Sequence, residues 1–155
     1  MTQSKDTWLA LDQQVCFPLY AATNMLQKLY QPLLQPLGLT YTKYLVMMVL
    51  WEAERQSTEV TVGDLQTCLY LDVATMSPLL KRMEKLGFIV RKRSRSDERK
   101  VMITLTVMGI ELRERACTIP EQLVTKLEVN LEFLISFRQD AQSLVETLAT
   151  KLRET

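Results

Sequence analysis

The chain contains no histidine. That removes serine–histidine and cysteine–histidine nucleophile pairs and every histidine-ligated zinc site. Its three cysteines, Cys16, Cys68 and Cys117, are too few and too scattered for a disulfide scaffold and form no CxxC pair. A reducing cytoplasm is the expected setting. Four glycines and five prolines in 155 residues leave little material for loops, so long helices are expected. No glycine-rich phosphate loop or Walker motif is present. No run of about 18 uncharged apolar residues offers a membrane span. The polar N-terminal stretch lacks the apolar core of a signal peptide. No cofactor and no metal are expected, and enzyme readings start from a poor position.

What is present is ordinary globular material, 47% hydrophobic and 24% charged, in a length that suits one compact domain. The net charge is only +1, but its distribution is uneven. Between Lys81 and Lys100 stand nine basic and three acidic residues, a local charge of +6, so the remaining residues sum to −5. A basic patch on an acidic body suits a polyanion, although a charge run alone serves equally well as a solvated helix face.

Apolar residues at helical spacing predict a helix over 17–34, with Pro18 in its first turn and Cys16 at or just before its N-terminus. Whether 8–15 forms a separate short helix is left open by the pattern. Thr40 is the expected N-cap of a central helix over 41–54, and a polar loop follows over 55–59. Thr61 caps a short helix ending near Leu69, with Asp64 in its first turn. Asp72 caps the next, which runs to Leu86, contains Pro78 and stops at Gly87. Residues 88–93 and 101–105 read as two strands joined by a charged turn. Thr106 caps a further helix, Pro120 should kink or interrupt it, and the rest is helical with a break near Ser136.

Helix, short helix, turn, helix and a hairpin with a basic tip make a winged helix-turn-helix. A helix can enter the major groove, which is about 12 Å wide, and read base edges with its N-terminal side chains. The candidate reading helix offers Asp72, Thr75, Ser77, Lys81 and Arg82. Thr75 and Ser77 suit bases or phosphates, whereas Lys81 and Arg82 suit phosphates. Arg95 and Arg99 at the tip suit an electronegative A·T-rich minor groove. Asp97 is expected to hold a neighbouring arginine by a charged hydrogen bond. The segment with "LLKRMEKLGFIVR", then Asp-x-Arg at Asp97 and Arg99, then "VMITLT", closely resembles the MarR family, and the similarity extends over nearly all of the chain. The resemblance implies a mainly α fold with a small β-hairpin. In it a DNA-binding lobe (about 40–106) is flanked by dimerisation helices (about 8–37 and 107–153), all within one MarR-type domain over 1–155. It also implies a homodimer that binds double-stranded DNA at an inverted-repeat operator.

A cysteine at a helix N-terminus meets aligned N–H groups and a positive dipole end, both of which favour thiolate. Thiolate is the form that reacts with peroxide to give sulfenic acid; the plainer reading of Cys16 is a packed core thiol. Its setting, "CFPLYAA", resembles the organic hydroperoxide resistance regulators of the MarR family. That resemblance implies that Cys16 is the redox-sensing residue. It also implies that Tyr30 and Tyr41, with Tyr20 as a third, hydrogen-bond the sulfur, partly from the other subunit. Some relatives use a resolving cysteine several residues beyond the position of Pro120. Here the candidate is Cys117, which precedes it, so a mixed disulfide with a small thiol is the preferred product, and Cys68 is read as a packing residue. Two rival readings remain. One is a MarR-type repressor released by a phenolic or aromatic ligand, in a pocket lined by tyrosines, methionines and Trp51. The other is a small thiol peroxidase, for which no arginine stands near Cys16 in sequence.

Overall fold

The computed structural model describes residues 9–94 and 97–154. Trp8 and Arg95 therefore lie outside the described residues. Described residues up to Cys117 form one compact unit, and those from Thr118 onward form a second.

The first unit opens with a short 3-10 turn, Leu11–Gln13, and then α1, Cys16–Leu34. A second 3-10 turn, Gln35–Leu37, ends at Gly38, whose φ of +71° is a conformation that suits a residue without Cβ. The central helix α2, Tyr41–Arg55, buries Tyr44, Val46, Met47, Leu50, Trp51 and Ala53. Thr40 takes the extended backbone of an N-cap, but its hydroxyl accepts no helix N–H.

Strand β1, Val60–Thr61, leads directly into α3, Val62–Leu69. The N-terminus of α3 is a reciprocal capping box. Thr61 Oγ1 accepts from Asp64 N–H at 3.1 Å, and Asp64 Oδ2 accepts from Thr61 N–H at 2.8 Å. After a left-handed Tyr70 comes α4, Val73–Lys85, then Gly87 at φ +80°. Strands β2, Ile89–Arg93, and β3, Val101–Leu105, pair antiparallel with Arg91 opposite Ile103. β1 adds to the other edge of β3, Val60 opposite Ile103, which gives the order β1-β3-β2. The sequence reading placed only a hairpin here, because a strand of two residues carries no period-2 signal. Helix α5, Val107–Ala116, begins at Thr106, whose hydroxyl accepts from Gly109 N–H at 3.0 Å. Leu34, Val46, Met47, Leu65, Met76, Leu80, Met83 and Ile89 are almost fully buried. They join α1–α4 to the sheet, each side chain contributing roughly 1.5–3 kcal/mol.

In the second unit α6, Ile119–Leu127, starts with Pro120 in its first turn, which is the interruption expected there. The break expected near Ser136 falls instead at Glu128–Asn130. Glu128 is left-handed at φ 51°, and Asn130 Oδ1 accepts from Glu132 N–H at 2.7 Å. Helix α7, Leu131–Glu154, then runs unbroken through Ser136 and carries no buried residue. Among the described residues no single helix is long and apolar enough to cross a membrane.

Candidate nucleic-acid interface and thiol site

Met76, Leu80 and Met83 anchor α4 in the core. At helical periodicity this turns Thr75, Pro78, Lys81 and Arg82 outward, and all four are exposed. Asp72 caps the helix, its Oδ1 accepting from Thr75 N–H at 2.7 Å. Bonds from the Thr75 amide and hydroxyl hold its carboxyl below the usual range. Ser77 lies off the outward face and is half-buried. It lines a cleft of about 460 Å³ between α3, α4 and the wing, together with Arg91, Arg99 and Lys100.

In the wing, Asp97 Oδ1 accepts from the backbone N–H of Arg99 at 3.1 Å and from its Nε at 3.4 Å. This is the arginine-holding contact expected of Asp97. The Arg99 side chain is 94% exposed and projects to solvent at the rim of that cleft.

Sequence reasoning missed the ion pair at the root of the wing. Glu84, in the last turn of α4, accepts from both the backbone amide and the guanidinium of Arg91 in β2. Those bonds hold the Glu84 carboxyl below the usual range. Two of the charges in the basic window thus neutralise each other.

Cys16 is the first residue of α1 and is exposed. Val15 before it supplies no side-chain cap, and no acidic residue stands in the first turn. The thiol therefore sits at the positive end of the α1 dipole without a side-chain cap beside it. Tyr20 sits one turn on, 69% exposed and at neighbour spacing. Tyr30 is fourteen residues from Cys16, about 21 Å along the helix at 1.5 Å per residue. Its ring meets that of Tyr41 at 5.0 Å and that of Tyr44 at 5.9 Å. Within one chain the structure thus brings Tyr30 and Tyr41 together and keeps both away from Cys16. Burial, reinforced by Tyr41 and Tyr44, pushes the Tyr30 phenol up to about 12. Burial also raises Tyr41 and, with Tyr41 beside it, Tyr44. All three hydroxyls are therefore protonated donors at neutral pH. Tyr44 was absent from the sequence-based set, although its i,i+3 spacing from Tyr41 placed it on the same face.

Cys68 is exposed on α3, which corrects its assignment as a packing residue. The burial of α3 rests on Leu65 instead. Cys117 is also an exposed free thiol, its Sγ donating to the Glu114 carbonyl at 2.9 Å. Trp51 is only 6% exposed and donates Nε1–H to the Gly109 carbonyl at 2.8 Å. It is a core residue with a satisfied indole, as Met47, Met76 and Met83 are core methionines, so these four do not line a ligand pocket. A groove of about 670 Å³ beside α1 and the start of α2 is lined mainly by polar side chains, among them Gln27, Lys28, Gln31 and Tyr41.

Four helices packed on a three-stranded sheet, with a capped α4 and an exposed arginine on the wing, form a winged helix-turn-helix, the architecture of DNA-binding transcription regulators. The family described as transcriptional regulator SarA/Rot matches residues 28–115. The organic hydroperoxide resistance transcriptional regulator of Bacillus subtilis is 41% identical over 149 residues, covering 96% of this chain and 99% of that protein. The crystal structure of AbfR of Staphylococcus epidermidis superposes with a TM-score of 0.73 at 30% identity, covering 95% of this chain and 99% of that one. The structure of reduced AbfR bound to DNA gives a TM-score of 0.70 at 30% identity, covering 89% and 95%. The chain belongs to the MarR family of transcription regulators, in its organic hydroperoxide resistance regulator branch.

Proposed function

We infer that this protein is a homodimeric repressor that holds an inverted-repeat operator when reduced and releases it when Cys16 is oxidised. The observation that carries this reading is the exposed Cys16 thiol at an uncapped helix N-terminus, about 21 Å along α1 from the paired tyrosines. A second copy packed antiparallel along α1 places the Tyr30 and Tyr41 hydroxyls of one subunit beside the sulfur of the other. Helix α7 supports pairing as well. Leu134, Phe137, Ala141, Leu144 and Leu148 recur at alternating spacings of three and four, and Phe137 and Leu148 are exposed. Pairing through α1 and α7 also doubles the base pairs read, which one wing and one reading helix need for useful specificity.

The chemistry is a two-electron oxidation. The Cys16 thiolate attacks the distal oxygen of an organic hydroperoxide, the O–O bond breaks, and the departing alkoxide takes up a proton from solvent to leave as the alcohol. The resulting sulfenic acid condenses with a small thiol, expelling water and leaving a mixed disulfide. The sulfur then no longer accepts the phenolic hydrogen bonds of a thiolate. The tyrosine cluster rearranges at the interface, and the two reading helices lose the one-turn spacing that DNA requires. A bias of about 3 kcal/mol between the two arrangements changes affinity about a hundredfold. The relatives named above are regulators, which supports a non-enzymatic role over peroxide turnover.

The test begins with an operator selected from random-sequence duplexes by the reduced protein. Fluorescence anisotropy on that duplex should show tight binding in dithiothreitol and loss of binding after stoichiometric cumene hydroperoxide and a small thiol. Mass spectrometry should place the adduct on Cys16. An adduct at Cys16 with binding unchanged contradicts the reading.

A further inference from the structure

Glu84 and Arg91 flank the Gly87 turn, one at the end of the reading helix and the other in the first strand of the wing. Glu84 Oε1 accepts from the Arg91 backbone N–H at 2.9 Å. Its Oε2 accepts from Nε at 2.9 Å and lies 2.8 Å from Nη2. β2 is an edge strand, and this amide points away from β3. The carboxylate thus closes a backbone donor that the sheet leaves open and grips the guanidinium along one side. The Arg91 side chain keeps 28% of its surface exposed. It lines the cleft between α3, α4 and the wing, together with Ser77, Arg99 and Lys100. Glu84 leaves the third nitrogen, Nη1, for another acceptor, and Arg99 and Lys100 make the cleft cationic.

We propose that Arg91 contacts a DNA backbone phosphate in this cleft and that Glu84 is its positioning residue, fixing both the guanidinium and the angle of the wing to the reading helix. This rests on the DNA-binding reading and adds two residues to the interface. Two effects of opposite sign compete at Glu84. A carboxylate near a polyanion repels it, so as a bare charge its removal would tighten binding. As a positioning group it supplies two charge-assisted bonds whose loss frees Arg91 and the wing root, so its removal weakens binding. The bonds lie at contact distance, whereas repulsion by a paired, partly screened carboxylate is weak, so the positioning effect prevails.

The experiment measures anisotropy of the selected operator with the reduced full-length protein across a salt series, for wild type, Arg91→Ala, Arg91→Lys, Glu84→Gln and Glu84→Asp. Arg91→Ala is expected to weaken binding and to flatten the dependence of log affinity on log salt by about one counterion per subunit. Arg91→Lys should recover the slope but not the full affinity, since a lysine cannot satisfy the bidentate grip. Glu84→Gln should weaken binding about five- to tenfold with the slope unchanged. Glu84→Asp, which keeps the charge but not the reach, should fall the same way and serves if Glu84→Gln fails to fold by circular dichroism. Glu84→Gln binding as tightly as wild type or tighter, or Arg91→Ala with an unchanged slope, overturns the proposal. If the wild type binds no duplex, the DNA-binding reading itself fails.

Discussion

Trp51 Nε1–H donates to the Gly109 carbonyl at 2.8 Å, tying the central helix α2 to the first turn of α5. Gly109 is pressed from the other side as well, since a Cβ there would lie 2.1 Å from the Phe88 carbonyl oxygen. Thr106 closes the same knot by accepting from Gly109 N–H and donating to the Gly87 carbonyl. The wing therefore springs from a junction with no free space. Gly109→Ala should destabilise the protein by about 3 kcal/mol or more, because backbone rather than a flexible side chain must move. Chemical denaturation of wild type and variant measures this, and a loss below about 1 kcal/mol would mean that the junction yields.

The tyrosine cluster makes a prediction at high pH. The Tyr30 phenol lies at about 12 in the folded chain against an ordinary value of 10.0. Below pH 10 both folded and unfolded chains keep that proton. Between 10 and 12 the unfolded chain releases it while the folded chain holds it. Its contribution to stability is therefore full below pH 10 and is lost as pH rises towards 12. Absorbance at the phenolate band should show late-ionising tyrosine in the native protein, and Tyr30→Phe should remove the latest step.

The exposed seam on α7 predicts oligomeric behaviour. Leu148 is 53% exposed in the single chain, in register with Leu134, Phe137, Ala141 and Leu144. Leu148→Glu should shift sedimentation from dimer towards monomer and lower operator affinity about a hundredfold or more, as one half-site loses its partner. A variant that stays dimeric would move the interface away from this seam.

The wing and the reading helix should fail in different ways. Arg99→Ala should reduce affinity most where the operator flanks are A·T-rich and equalise A·T and G·C flanks, at a cost of about tenfold. Lys81→Ala should weaken all duplexes alike. Asp97→Ala releases the side chain that Asp97 now holds and should show a milder form of the Arg99 defect. A panel of duplexes that differ only in their flanks distinguishes these outcomes.

Local chemistry is what the sequence made legible. The caps at Thr61, Asp72 and Thr106, the stop at Gly87 and the interruption at Pro120 each depend on residues within one turn of each other. The Asp97–Arg99 contact spans two residues and was equally readable. Features that depend on tertiary packing were not. β1 is too short to carry a pattern and exists because β3 offers it an edge. The break at Glu128–Asn130 uses a left-handed glutamate and an asparagine cap, with neither glycine nor proline to announce it. Glu84 and Arg91 pair only because the Gly87 turn folds one back over the other. Cys16 was legible as a thiol at a helix start. Its distance from Tyr30 follows from the same single helix, whereas the packing of Tyr30 against Tyr41 and Tyr44 on α2 is tertiary and was not readable.

The most direct test is release of the selected operator by organic hydroperoxide, compared between wild type and Cys16→Ser in the same assay. Both reduced proteins should bind alike, since the serine hydroxyl is nearly isosteric with the thiol and can still accept a phenolic hydrogen bond. After oxidant and small thiol, the wild type should lose affinity about a hundredfold, while the serine variant should stay bound. Equal release from both proteins would contradict the account.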